Sequence, residues 1–495
     1  MPRSAGGAAA RGRTRLTAIV ALALLDVLVI GAGGALAGLL PARLALWKIP
    51  VVAGRPVVGA RTLLHRAGTG GPVPTTSGLT ARLSGLLAAP ALGPHTTAVV
   101  ADAASGKVLF SHGGGSPAEP ASTAKLATAV AALDVLGPGA RFTTTVVEGT
   151  AAGRAGGRGP AQIVLVGGGD PTLAAGPPPA SDYPQPATLR ALAAAAARAL
   201  TAQHHTVVRL GYDTSLYSGP VLAPGWTESY VTTGNVTPIT SLEVDQGRLL
   251  PDGKPQDADT PGNLRPRSQT PATDAVRAFA GFLARDGITI AGSSGQVRAP
   301  SGAARLAAVR SPPLAAIVEQ MLTESNNVIA ENLARHVALA TGQPASFSGA
   351  ASAVIQAVGR LGAGPGVHLV DGSGLSPDDA IAAAALVRLL GIAASARHPA
   401  LRADITGMPV AGFSGTLAPG QSVLAALAPA TRGVLRAKTG NLDTVVSLAG
   451  LVYDRNGTVL AFAFMADRLR SARVLQQAAA AMDQLADALA GCGCG

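Results

Sequence analysis

The sequence predicts an α/β protein in which one antiparallel sheet, flanked by helices, is assembled from both ends of the chain and split by inserted domains. Three observations carry this. Two short strand-like runs joined by a turn lie early in the chain, three more lie near its end, and a long stretch with its own strand and loop signals separates them. At 495 residues the chain also exceeds what one ordinary core organises, so more than one domain is expected.

Taken in order, Arg3, Arg11, Arg13 and Arg15 precede an apolar run from Leu16 to Leu40 that only Asp26 interrupts. The run is longer than a signal-peptide core of about 7–15 residues and close to the roughly 20 that cross a bilayer. Residues 1–40 therefore read as a cytoplasmic basic segment and a transmembrane anchor. A signal cleaved near Ala35-Leu36-Ala37 is the competing reading. The arginines stay cytoplasmic, which exports the remainder to the cell envelope, anchored or secreted. Residues 41–78 read as a flexible linker closing in Gly68-Thr69-Gly70-Gly71-Pro72-Val73-Pro74.

Strands are expected over Thr97–Asp102 and Lys107–Ser111, hinged at Ala103-Ala104-Ser105-Gly106. Pro120 then introduces a helix, Ser122–Leu136, stopped by Gly137-Pro138. Residues 142–310, with a strand over Gln162–Val166, form the inserted domain or domains, and 79–141 with 311–490 form the working domain. The far end supplies strands Val434–Lys438, Val445–Tyr453 and Thr458–Met465, then a helix over Ser471–Ala490. Residues 491–495 read as a flexible tail holding the only cysteines, Cys492 and Cys494, so no disulfide and no thiolate metal site is expected in the folded body.

The net charge of +11 does not imply nucleic acid, because aromatics are 3% of the chain and no nucleic-acid motif accompanies the basic residues. An anionic wall or membrane surface suits the surplus as well. His204 and His205 are adjacent and no His-Glu-x-x-His occurs, so neither a metal nor a cofactor is expected.

The chemistry lies in three short motifs: Ser122-Thr123-Ala124-Lys125, Ser325-Asn326-Asn327 and Lys438-Thr439-Gly440. Each alone is as readily a helix start, a cap or a turn; in this order, each in a suitable element, they form one constellation. At a helix start, positions i and i+3 share a face, which sets Lys125 beside the Ser122 hydroxyl as its base. For that its pKa must fall, which partial burial and a second cation, Lys438, would bring about. Ser325 is expected to relay a proton between Lys125 and the leaving amine, and Asn327 to hold Lys125 and the substrate amide. Lys438 and Thr439 are assigned to the terminal carboxylate, on a strand whose edge pairs with an extended peptide, and Gly440 to close substrate approach. The backbone N–H groups of Ser122 and Asn441 are assigned to the oxyanion hole, each worth about 3–4 kcal/mol in comparable sites.

Penicillin-binding proteins and class A β-lactamases share this trio. With its flanks, the sequence resembles the penicillin-binding protein 4 family, the D-alanyl-D-alanine carboxypeptidase/endopeptidases of serine peptidase family S13. The resemblance covers about residues 80–480 and includes Pro120 to Leu126, Gly167-Gly168-Gly169-Asp170-Pro171-Thr172-Leu173, Asp371-Gly372-Ser373-Gly374-Leu375-Ser376, and Pro409 to Leu417. It implies a split transpeptidase/β-lactamase-like fold with the insert between the Ser-x-x-Lys and Ser-x-Asn motifs. It further implies D-Ala-D-Ala carboxypeptidase activity on peptidoglycan stem peptides through an acyl-enzyme on Ser122, endopeptidase action on cross-links, and β-lactams as covalent inhibitors.

Two positions depart from that family's pattern. Asn441 stands where threonine is frequent, and Pro377 where an arginine commonly reads the peptide side chain. Asp170 and Asp371 look like acids but lie in turn sequences, and Glu228 reads as a surface residue. The rival functions are a β-lactamase or esterase on the same scaffold and a catalytically idle wall-binding protein. No Glu-x-x-Leu-Asn sequence lies between Asn327 and Lys438 to activate a deacylating water, which disfavours the β-lactamase.

Overall fold

A computed structural model describes residues 71–150, 159–180, 182–249, 265–422, 424 and 426–494. The apolar run 16–40 and the linker up to residue 70 lie outside them. Among the described residues no helix is long and apolar enough to cross a membrane.

The first element is helix α1 (Thr76–Leu87), capped by the Thr75 hydroxyl, which accepts from Gly78 N. Its buried Leu79, Leu83 and Leu87 recur every four residues, the spacing of one helix face. The last expected linker residues are therefore helical, because they carry a cap and the first turn of an amphipathic stripe. Strands β1 (His95–Asp102) and β2 (Val108–His112) follow, then β3 (Pro117–Ala118). Ala121–Ala124 form a 3-10 turn ahead of helix α2 (Lys125–Leu136). The expected helix thus begins with a tighter turn, and Gly137 at φ 80° ends it.

A second sheet arises from β4 (Thr143–Glu148), β5 (Ala161–Val166), β6 (Val207–Asp213), β7 (Thr289–Ile290), β8 (Gly295–Gln296) and β9 (Arg305–Arg310). Its order is β7-β6-β5-β4-β9, with β8 also pairing β6. Parallel β5 and β6 are joined through helix α3 (Leu189–Ala202), a crossover that parallel pairing requires. A one-turn α4 (Ser229–Thr232) and helix α5 (Pro271–Arg285) complete this part. Leu189, Leu192, Phe279 and Leu283 close its separate core.

The chain then returns as helices α6 (Leu314–Glu324), α7 (Asn327–Ala340) and α8 (Phe347–Arg360), strands β10 (Val367–His368) and β11 (Ala380–Ala382), and helices α9 (Ala383–Ala394) and α10 (Arg402–Thr406). Strands β12 (Leu435–Leu442), β13 (Val445–Tyr453) and β14 (Val459–Asp467) and helix α11 (Ala472–Ala490) finish it. The central sheet runs β12-β13-β14-β1-β2, antiparallel throughout, with β1 against β14 from His95↔Asp467 to Asp102↔Leu460. Alternation along β1 sends Val99 and Ala101 into the core shared with α2, α7 and α9, and Ala98 and Val100 into the core shared with α1 and α11. The sheet flanked on both faces by helices agrees with the expected class. Both α2 and α7 are buried almost all round, which accounts for their alanines, since small side chains let helices approach closely.

The terminal residues depart from expectation. Cys492 is fully buried and disulfide-bonded to Cys494. The Cys494 carbonyl accepts from Thr75 N at 2.9 Å, and the Cys492 carbonyl from Arg455 N at 3.0 Å. Residues 491–494 are held in place because α11 delivers them onto the apolar face that α1 also covers, where a cysteine side chain packs as a small hydrophobe.

Asp404 in α10 is wholly buried and neither carboxylate oxygen has a hydrogen-bond partner. Burial raises its pKa well above the ordinary value. Above the unfolded pKa the unfolded chain releases a proton that the folded chain keeps, so stability falls as pH rises, by up to about 1.4 kcal/mol per unit. Asp404→Asn cannot ionise. Its melting temperature should gain on wild type progressively from pH 5 to pH 8; thermal melts at several pH values check this.

Candidate active site

The nucleophile candidate lies in a turn with unusual backbone. Ala121, directly before Ser122, has φ 46°, a left-handed conformation that costs a non-glycine residue about 1–2 kcal/mol. Pro120 and Thr123 brace it: the Pro120 carbonyl accepts from the Thr123 hydroxyl at 2.7 Å and from Ser447 Oγ on β13 at 2.7 Å. Ser122 is left half-buried, its hydroxyl against Lys125 Nζ.

Lys125 opens α2 fully buried. Its Nζ donates to Ser122 Oγ at 2.8 Å, to Asn327 Oδ1 at 2.6 Å and to the Ser373 carbonyl at 2.7 Å. Burial brings its pKa down to about 7, while Asp371, Glu331 and Asp379 pull it back upward. Lys438 is also fully buried, and its Nζ donates to Ser325 Oγ at 2.8 Å and to the Thr439 carbonyl at 2.7 Å. Burial first, and Lys125 second, hold it well below its usual range. Desolvation leads the downward shift of both lysines, and their mutual repulsion adds to it.

The structure brings together Ser122, Lys125, Ser325, Asn327 and Lys438, the residues singled out in the sequence, with partners that spacing did not reveal. Ser325 caps the end of α6 in a left-handed conformation, φ 58°, and its hydroxyl partner is Lys438 rather than Lys125. Asn326 caps α7 and its Nδ2 donates to Gln246 Oε1 at 2.7 Å. Asn327 meets Lys125 as expected, but its Nδ2 donates to the Asn235 carbonyl at 2.9 Å, tying the insert to the cleft rather than facing a substrate amide.

On β12, Thr439 Oγ1 lies 2.7 Å from Thr416 Oγ1, in the Pro409–Leu417 segment. Upstream, Ala437 N donates to the Pro409 carbonyl on the side away from β13. Alternation in an antiparallel ladder sends the N–H groups of Thr439 and Asn441 to that same outer edge, and Asn441 is exposed. Gly440 acts differently from expectation. A Cβ there would lie 2.2 Å from Ser447 Oγ, 2.8 Å from the Pro120 carbonyl and 3.0 Å from Ser122 N. It is the nucleophile turn that approaches this glycine. Gly440→Ala should therefore fold but acylate about 100-fold more slowly, since a displacement of about 1 Å costs that much; stopped-flow labelling with a fluorescent penicillin checks it.

Asp371 is structural, as its turn sequence suggested. It accepts from the backbone N of Ser373 (2.9 Å), Gly374 (2.6 Å) and Ser376 (2.7 Å) and from Trp226 Nε1 at 2.8 Å. Asp170 likewise holds Thr172 N at 2.9 Å, and Glu228 is exposed. The insert closes over this loop, as a Cβ on Gly225 would touch Pro377 Cδ at 2.9 Å and the Pro224 carbonyl accepts from Ser376 Oγ at 3.1 Å. Sequence reading missed Trp226, Asn235, Gln246 and Glu331 as parts of the site. Only Glu331 left a local sign, one helical turn beyond Asn327 and so on the same face. Among the described residues no group of histidine, cysteine and carboxylate side chains is placed to hold a metal ion.

A serine paired with a buried lysine, beside a sheet edge and a second buried lysine, is the arrangement of the penicillin-binding class of serine enzymes, shared with class A β-lactamases. The chain belongs to the D-Ala-D-Ala carboxypeptidase 3 (S13) family, whose model matches residues 79–264 and 252–489. It is 38% identical over 425 residues to carboxypeptidase DacB of Mycolicibacterium smegmatis, covering 86% of each chain. It is 29% identical over 530 residues to a D-alanyl-D-alanine carboxypeptidase of an Actinomadura species, covering 94% of this chain and 88% of the relative. In fold it is similar to penicillin binding protein 4 of Haemophilus influenzae, with a TM-score of 0.63 at 23% identity, covering 84% of this chain and 98% of that one.

Proposed function

We propose that Ser122 attacks the carbonyl of the penultimate D-alanine of a peptidoglycan stem peptide, and that neutral Lys125 takes its proton. The 2.8 Å contact between a fully buried Lys125 Nζ and Ser122 Oγ carries this reading. The tetrahedral oxyanion is received by the N–H groups of Ser122 and Asn441. As the C–N bond breaks, the Ser325 hydroxyl passes its proton to the departing D-alanine nitrogen and takes one from Lys438 Nζ, which donates to it at 2.8 Å. When water then attacks the ester, its proton returns through Ser325 to Lys438, and protonated Lys125 gives its proton back to Ser122 Oγ as the ester bond breaks. Thr439, Gly440 and Asn441 present the outer edge of β12 to the extended substrate, with Lys438 and Thr439 nearest its carboxylate. The enzyme works in the cell envelope, tethered or released by the N-terminal segment, and the same chemistry on a cross-link makes it an endopeptidase.

Incubating the full chain with a D-Ala-D-Ala stem peptide and with cross-linked muropeptides, read by mass spectrometry, tests the proposal. Loss of one alanine mass from the stem peptide is expected; an intact stem peptide would overturn it. A β-lactam should leave a lasting adduct on Ser122. Rapid penicillin turnover would favour the β-lactamase reading, and absence of any adduct the idle wall-binding protein.

A further inference from the structure

The three acceptors around Lys125 are not equivalent. The Ser122 hydroxyl can donate or accept, whereas Asn327 Oδ1 and the Ser373 carbonyl can only accept. A neutral lysine has two N–H bonds and one lone pair. With both N–H groups committed to the two carbonyl oxygens, the lone pair is left facing the serine hydroxyl. The aim of the base therefore depends on where the Ser373 carbonyl is held.

That carbonyl sits in a loop fixed from several sides. Gly372 N donates to both Glu331 oxygens, at 3.0 and 3.1 Å, and the Gly372 carbonyl accepts from Thr128 Oγ1 at 2.6 Å. Glu331 also bonds the Ser373 side chain. The loop lies directly on α7, where a Cβ on Gly372 would meet Ala334 Cβ at 2.7 Å. Glu331 is fully buried between this loop and the rest of α7, and nothing in the reaction proposed above uses it. The charged groups around it are Asp371 from the loop, Arg335 from its own helix and Lys125 from α2.

We propose that Glu331 is a positioning residue for acylation: by clamping the Gly372–Ser373 peptide it directs the Ser373 carbonyl at Lys125 and so points the lysine lone pair at Ser122. The proposal rests on Lys125 being the base. Burial raises the Glu331 pKa to about 8, so near neutral pH its carboxyl is largely protonated and a carboxamide of the same shape reproduces the clamp.

The test uses the full chain with Glu331→Ala and Glu331→Gln, measuring the acylation constant for a fluorescent penicillin and stem-peptide kcat and KM across pH. Glu331→Ala frees the loop, and kcat and acylation should fall by about 100-fold, the usual cost of a misplaced reacting group, with KM little changed. Glu331→Gln keeps an acceptor for Gly372 N and should restore the rate. A fall in kcat at unchanged KM in Glu331→Ala, rescued by Glu331→Gln, is a pattern that a merely structural role would not produce. Acylation by Glu331→Ala at the wild-type rate overturns the proposal. Should that variant not fold, a folded Glu331→Gln that acylates about 100-fold more slowly than wild type overturns it. If the wild type itself is never acylated, the reading of Ser122 falls as well; an acylating wild type beside an unaltered Glu331→Ala sinks this inference alone.

Discussion

Ser122→Ala should form no adduct with penicillin at any concentration, and its stem-peptide turnover should drop by about 10⁶-fold, the scale seen when a hydrolase loses its serine nucleophile. Intact-mass spectrometry reads the adduct and product release reads the turnover. The fold should be untouched, because the hydroxyl is bonded to Lys125 rather than to the scaffold. The bracing of the turn comes instead from Thr123, Ser447 and the backbone of Pro120. Equal melting temperatures for variant and wild type would confirm that chemistry and stability have been separated. A labelled Ser122→Ala protein would move the nucleophile elsewhere and remove the basis for every role assigned around it.

Lys125→Met should lower acylation by about 10²–10⁴-fold, the range for loss of a positioned general base. Methionine has similar length and no charge, so it fills the space among Ser122, Asn327 and Ser373 without accepting a proton. The wild-type pH profile makes the same point from the other direction. Below pH 7 the buried lysine gains a proton and cannot act as base; above it the amine is neutral. Acylation should therefore rise with pH through a midpoint near 7, and Lys125→Met should flatten that limb. A midpoint near the ordinary lysine value would mean that burial does not govern this group.

The sequence made the reactive centre legible because covalent chemistry demands particular residue types at short spacings. Ser122 and Lys125 sit three apart at a helix start, and Ser325 and Asn327 flank one turn. Strand alternation and turn residues likewise exposed the five strands of the central sheet and its closure from both chain ends. Contacts between motifs were harder to read, since spacing along the chain does not say which hydroxyl faces which ammonium; hence Ser325 belongs to Lys438. Asn235, Gln246 and Trp226 were hidden for another reason. They act through backbone carbonyls and ordinary side chains on a distant insert, and such pairings leave no local pattern. The left-handed Ala121 was invisible because nothing in the types of its neighbours requires it. Cys492 was misjudged through the general disorder of chain ends, which burial on an apolar face overrides here.

The pairing of β1 with β14 has a consequence for how the protein comes into being. His95 meets Asp467, 372 positions later, so the first strands wait with an open edge until nearly the whole polypeptide has been made. Contacts this distant in sequence form late and slowly. Lys438 arrives within the same closing segment, and the Ser325 turn completes only against the insert that was synthesised before it. An unfinished chain therefore carries its nucleophile but not the machinery to use it, and enzymatic competence appears only when the last strands dock.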